Sequence, residues 1–354
     1  MKISVLIPYY NDAEFLPRSI ESVLAQDCPD FELVLVNHAT RDNCRELARS
    51  YDDARVVHVD MPENHGAGGG LVIEAFLAAA KGEYVKFFCA DDVMRPGCLA
   101  ALAAALDGHP ELDMVFGDLE YIDEAGHPLG ETWFDARQDF SRGMDELACL
   151  RSYADGKSVL PWIGGMVRRS ALDRITLDAT MVMMFDMSVW LQLLLNGSRL
   201  GYVDRPVAGY RIHGGQVSAA ANLLPARYMS VFEWQAYSES LLRAEPQMLR
   251  RIFADDTAVA AACDGRELRC AIALRYLRHP ELVKVSHWAY RILHDEMNTA
   301  SGREFLSERF SLTVAGLRAL LRASAPKERR RGRWVTFRER LKKLFGGSEA
   351  PRSL

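Results

Sequence analysis

Asp91 and Asp92 stand side by side at the end of an apolar run, in the stretch VKFFCADDVMRPG from Val85 to Gly97. Adjacent carboxylates repel each other, and each loses solvation free energy on burial unless it is paired. A strand that reads as buried can end in such a pair only if water reaches that end or a cation sits there. A third acid, Asp186, opens the otherwise apolar stretch MFDMSVWLQLLLNG. An acid at a helix start is favoured by capping and by the helix dipole, so a structural role stands beside a chemical one. Further on, Tyr210, Arg211 and His213 lie close to a Gly-Gly turn. The seven cysteines are odd in number and form no CxxC pair, which indicates neither a disulfide framework nor a zinc site.

The elements that must position these residues follow from the periodicity. Ile3 to Ile7 is an apolar run broken only by Ser4 and ended by Pro8, and reads as a buried strand. Asp12 is placed to cap a helix over Ala13 to Gln26. Strands over Phe31–Val36, Arg55–Asp60 and Glu83–Cys89 then alternate with helices over Thr40–Tyr51 and Gly70–Lys81. This order implies a doubly wound, mostly parallel sheet with right-handed crossovers, in which ligands bind beyond the carboxyl ends of the strands. PYYN (Pro8 to Asn11), NHATRD (Asn37 to Asp42) and CADD (Cys89 to Asp92) all follow strands and would open onto one crevice; ordinary turns and caps are the alternative reading. A helix over Cys98–Leu106 and a strand over Met114–Asp118 come next, and the chain from Leu223 to Ala325 reads as mostly helical.

Composition bounds the class. The chain has 354 residues, 49% of them hydrophobic and 26% charged, consistent with two domains or one enlarged domain. No apolar run approaches the roughly 18 to 20 residues that cross a bilayer, and Pro8 and Asp12 come too early for a secretory signal, so a cytoplasmic location is expected. GAGGG at 66–70 lacks the GxGxxG spacing and follows the third strand, which argues against a dinucleotide-binding oxidoreductase.

From about Lys2 to Ser218 the order of motifs resembles the family 2 glycosyltransferases with their GT-A fold: SVLIPYYN, VNHATRD, AKGEYVKFFCADD, FDMSVWLQLLLNG and YRIHGGQVS. The resemblance implies a GT-A domain over 1–220, followed by a helical extension over 221–325 and a tail over 326–354. It implies an inverting transfer of a sugar from a nucleoside-diphosphate donor to a saccharide or lipid-linked acceptor, in envelope or surface polysaccharide synthesis. Asp186 matches the acid that serves as general base. Asp91 matches the second acid of the DxD motif, which holds a divalent cation against the donor diphosphate; Mg²⁺ or Mn²⁺ suits such oxygen ligands. Asp92 and His213 are the further metal ligands expected, with a structural histidine as the alternative. Pro8, Tyr9, Asn11, Asn37 and Asn64 fall where the family cradles the donor. The pattern departs from the family at Cys89, in place of the first DxD acid, and at Asn37 and His38, where two aspartates are common. These departures leave room for a non-catalytic sugar-nucleotide binding module.

The tail KERRRGRWVTFRERLKKLFGG holds to a different charge regime. Residues 326–354 contain ten basic and three acidic side chains, a formal +7, while the preceding 325 carry −12 of the total of −5. Trp334, Phe337, Leu341, Leu344 and Phe345 fall three or four apart, so a helix over 327–345 would suit an anionic membrane surface at the inner face; a solvated terminal helix is the alternative. Nucleic acid is not an expected partner, because the rest of the chain is acidic.

Overall fold

The computed structural model describes residues 1–65, 69–136, 145–216, 223–279 and 287–324. The chain divides into two compact units, Met1–Ile272 and Ala273–Leu354. The basic tail and residues 66–68 of the GAGGG stretch lie outside the described residues.

In the first unit the apolar runs become strands β1 (Ile3–Tyr9), β2 (Phe31–Asn37), β3 (Val56–Asp60) and β4 (Tyr84–Phe87). They pair in parallel in the order β3-β2-β1-β4, as the alternation with helices Leu16–Leu24, Cys44–Arg49 and Gly70–Ala79 requires. Nearly every side chain of β1, β2 and β4 is buried, because helices cover both faces of a parallel sheet. The polar residues among them are satisfied internally: Ser4 Oγ donates to Glu32 Oε1 at 2.5 Å and accepts the Gly82 N–H at 2.8 Å. Lys86, fully buried in β4, donates to the carbonyl oxygens of Phe87 and Ile163, and burial lowers its pKa.

The second half of the sheet is mixed, with strands β5 (Val93–Met94), β6 (Met114–Ile122), β7 (Pro128–Thr132), β8 (Gly165–Arg168) and β9 (Leu200–Arg211). Beyond β4 the order is β8-β6-β9-β5, with β7 paired to β6. β8 enters antiparallel between β4 and β6, and β5 lies antiparallel on β9 with Val93 opposite Gly209. That last register matters most for the site. Extended by two residues it sets Asp91 opposite Arg211, although the two are 120 positions apart.

The first helix differs from expectation. It starts at Leu16, with Pro17 in its first turn, and no side chain caps it. Asp12 instead offers its backbone oxygen to Phe15 and Leu16, and its carboxylate accepts the Tyr10 N–H at 3.2 Å. Three residues of turn separate the acid from the helix, so its side chain is left facing the strand ends. The helix Leu223–Leu242 and the short helices Pro246–Ile252 and Thr257–Ala261 complete this unit.

In the second unit, helices His287–Met297, Ala300–Phe310 and Val314–Ser324 bury Leu293, Leu306, Leu312 and Leu317, and the rings of Tyr276 and Trp288 meet edge to face at 5.0 Å. Thr299 caps the middle helix through the Gly302 N–H. No helix among the described residues is long and apolar enough to cross a membrane.

Candidate active site

The end of β9 is built around Arg211, whose side chain is fully buried. Its backbone N–H donates to Asp92 Oδ1 at 2.8 Å, Nε donates to the Asp91 carbonyl at 2.7 Å, and Nη1 donates to the carbonyls of Asp123 and Glu124 at 3.0 and 2.6 Å. The guanidinium also lies 5.0 Å from the centre of the Phe15 ring. Arginine therefore fixes the backbone of the acid pair and leaves the Asp91 side chain to another partner. That partner is His213, whose Nε2 is 3.0 Å from Asp91 Oδ2 and whose ring packs against Phe15 at 4.6 Å.

The donor atoms of Cys89, Asp91 and Asp92 lie within 4.8 Å of one another. Burial, and then the charge of Asp91, push the Asp92 carboxyl well above the usual carboxylate range. Burial together with Asp92 and Asp91 raises the Cys89 thiol in the same way, so it stays protonated and is a poor ligand for a hard cation. Asp91, with His213 beside it and the Asp92 carboxyl adjacent, offers the oxygen and nitrogen donors that a divalent cation takes, and the donor set fits Mg²⁺ or Mn²⁺.

A cleft of about 340 Å³ opens beside this cluster, lined by Asn11, Asp12, Glu14, Phe15, Glu124 and His213 among others. Asp12 is the acid that pattern reading assigned to a cap. Burial, with the charges of Asp91 and Asp42, pushes its carboxyl up to about 6, although the Tyr10 N–H and His213 oppose the shift. No local pattern separates such an acid from a helix cap; only its place beside Asp91 does.

The residues expected around the donor occupy the ends of β1 and β2. Asn11 takes a left-handed backbone conformation (φ 56°), which asparagine tolerates, and its side-chain oxygen accepts the Arg41 N–H at 2.9 Å. Ala39, at φ 55°, has no such licence and holds the 37–42 turn under strain. Asn37 is buried: its amide donates to Asp60 Oδ1 at 2.8 Å, and its oxygen accepts the Thr40 N–H at 2.9 Å. Each end keeps one further hydrogen-bonding position. Pro8 is half-buried, whereas the Tyr9 side chain is 3% exposed and packs in the core, and its carbonyl accepts the His38 N–H at 3.0 Å. Asn64 is exposed and donates to the His38 carbonyl, and His38 Nε2 accepts the His65 N–H, which requires a neutral ring.

Asp60 steadies this group. Burial raises its carboxyl, but hydrogen bonds from Asn37, Arg45 and Arg49 outweigh that and bring it down to about 2. A depressed carboxyl stabilises the fold above its unfolded pKa and loses that contribution as pH falls through the folded one. Asp60→Asn is expected to lower stability by about 0.5 to 1 kcal/mol at pH 7, a figure reduced for partial exposure, and the difference should vanish between about pH 4 and pH 2. Urea midpoints measured across that range check it.

Asp186 sits in the first turn of the helix Phe185–Leu195, half-buried, with Oδ1 accepting the Met187 N–H at 2.7 Å. An aromatic bridge joins this turn to the end of β4. Trp162 stacks on Phe87 with ring centres 4.1 Å apart and meets Phe185 edge to face at 5.9 Å. Phe87 lies four residues before Asp91 and Phe185 is the neighbour of Asp186, so this bridge ties the turn of Asp186 to the strand that leads to the acid pair. Trp162 lies in the sequence stretch LPWIGG, whose pattern alone carries no sign of this role.

Comparison with known proteins relates the chain to glycosyltransferases. Residues 4–176, just under half of the chain, match the model described as glycosyl transferase family 2. An uncharacterized glycosyltransferase of Nostoc is 36% identical over 133 residues, which cover 35% of this chain and 41% of that relative. The poly(ribitol-phosphate) beta-N-acetylglucosaminyltransferase TarS of Staphylococcus aureus is 31% identical over 31% of this chain and 19% of its own length. The chain therefore spans well under two thirds of both relatives. The crystal structure of S. aureus TarS 1–349 in complex with UDP-GlcNAc superposes with a TM-score of 0.57 at 18% identity, covering 82% of this chain and 88% of that one. The fold is the mixed α/β fold of GT-A enzymes such as TarS, and residues 4–176 are similar to glycosyl transferase family 2.

Proposed function

We propose that this chain is an inverting, metal-dependent glycosyltransferase that moves a sugar from a nucleoside-diphosphate donor to a hydroxyl of a saccharide or lipid-linked acceptor, in surface polysaccharide synthesis. The observation that carries the reading is the meeting of Asp91 and His213 at 3.0 Å, at the end of the strand that the Trp162 bridge links to the turn of Asp186. The name of TarS, which acts on poly(ribitol-phosphate), supports a polymer acceptor, and its complex with UDP-GlcNAc supports a nucleotide-sugar donor.

In this mechanism the acceptor hydroxyl bonds to the anomeric carbon as the bond from that carbon to the diphosphate oxygen breaks, and configuration inverts. Asp186 takes the hydroxyl proton, while the bonding electrons leave with the nucleoside diphosphate. Asp91, held by His213, is the main ligand for the divalent cation, with Asp92 and His213 beside it. When bound, that ion supplies neutralisation of the charge that develops on the leaving diphosphate. Asn37 and Asn11, with the backbone of Pro8 and Tyr9, face the nucleotide, and Asn64 borders it.

The test of the metal assignment is calorimetry of UDP and GDP with and without Mn²⁺. The wild-type protein should bind one of them more tightly with Mn²⁺, and Asp91→Ala should lose that increment while keeping its metal-free affinity. Equal affinity with and without Mn²⁺ in the wild type would remove the assignment. The half-buried Cys89, kept as a thiol where the family has an acid, favours a second reading, a sugar-nucleotide binding module. That reading requires binding without any release of nucleotide from the bound sugar donor.

A further inference from the structure

The helix carrying Asp186 has no side-chain cap of its own: Met184 precedes it and contributes none. The N–H groups of the three residues that lead into it are met by an acid some fifty residues further along. Glu233, 5% exposed on the helix Leu223–Leu242, accepts the Val182 N–H on Oε1 at 3.1 Å and the N–H groups of Met183 and Met184 on Oε2, both at 2.8 Å. Among the described residues no lysine or arginine pairs with Glu233. Its charge is answered by three N–H donors and the positive end of the helix dipole.

The opposite side of the same segment is equally constrained. A methyl group on Gly69 would lie 2.2 Å from the Met181 carbonyl oxygen, and one on Gly70 would lie 2.4 Å from that of Asp178. The Gly70 N–H also donates to the Met181 oxygen at 3.4 Å. Residues 178–184 are thus gripped by carbonyls on a glycine helix start and by amides on a buried carboxylate. Asp186 follows two residues later.

We infer that Glu233 is a positioning residue for Asp186: it sets the first turn of the helix so that the Asp186 carboxylate meets the acceptor hydroxyl. The inference rests on the assignment of Asp186 as the base. It also makes the helix Leu223–Leu242, outside the family-matched segment, part of the catalytic framework. Without the carboxylate, three amides lose their acceptor and the turn shifts, and a displacement on the order of 1 Å at a reacting group lowers turnover about a hundredfold.

The full chain is assayed as wild type, Glu233→Ala, Glu233→Gln and Asp186→Asn, with an equimolar mixture of UDP-N-acetylglucosamine, UDP-glucose and GDP-mannose and Mn²⁺, following release of UDP or GDP. Calorimetry with UDP and GDP and hydrogen exchange at 182–185 run alongside. Glu233→Ala should lower kcat about a hundredfold with donor KM and nucleotide affinity within about twofold, and exchange at 182–185 should accelerate. Glu233→Gln, which keeps the shape and one acceptor oxygen, should recover about tenfold of that loss. A folded Glu233→Ala with wild-type turnover, an equal loss of nucleotide affinity, or failure of both variants to fold would overturn the inference. If Asp186→Asn is inactive while Glu233→Ala is fully active, only this inference falls. If Asp186→Asn retains turnover, or the wild type releases no nucleotide, the underlying reading falls with it.

Discussion

Asp186→Asn is expected to bind a sugar nucleotide as tightly as the wild-type protein and to transfer its sugar about 10² to 10⁴ times more slowly. The asparagine keeps the size of the side chain and an oxygen to accept the Met187 N–H, so the helix start should survive. What it removes is the capacity to take a proton. A loss of that size corresponds to about 3 to 5 kcal/mol in the barrier. The check is single-turnover transfer with donor affinity measured on the same sample. Unchanged turnover would dismiss Asp186 as the base, and a parallel loss of affinity would mean that the residue holds the donor instead.

Arg211→Ala carries the largest expected loss of stability. The side chain is fully buried and donates three hydrogen bonds to carbonyls of Asp91, Asp123 and Glu124. Truncation would leave those carbonyls without their donor, open a cavity against Phe15, and remove a positive charge that acts on Asp91 and Asp92. Breaking a buried charged network of this kind costs about 3 to 5 kcal/mol. The apparent melting temperature should fall by on the order of 10 °C. One guanidinium nitrogen, Nη2, has no hydrogen-bond partner among the described residues. Arg211→Met keeps most of the volume and the Phe15 contact, and should recover part of the loss. A melting temperature within about 2 °C of wild type for Arg211→Ala would show that the network contributes little.

Much of the first half was legible from residue pattern. The runs at Ile3–Ile7, Phe31–Val36 and Glu83–Cys89 were too short for helices and too uniformly apolar for half-exposed strands, which leaves buried parallel strands, found at Ile3–Tyr9, Phe31–Asn37 and Tyr84–Phe87. The acid pair at Asp91 and Asp92 was conspicuous because local pattern had no reason to put charge there. Asp12 misled for the opposite reason: an acid shortly before an apolar helix has a ready local explanation, and the structure gives it another position. The antiparallel entry of β8 had no signature, since four residues of strand are the same length in either direction.

By itself, the order of residues determined the parallel half-sheet, the rim at which its loops gather and the three acids available for chemistry, because these follow from short-range periodicity and from the solvation of charge. Tertiary structure alone decided which residues meet. The β5–β9 register joins Arg211 and His213 to the acid pair, Trp162 ties the turn of Asp186 to β4, and Glu233 holds the segment that leads into that turn. Contacts between groups so far apart in the chain depend on packing and strand register, which no local stretch of the chain encodes.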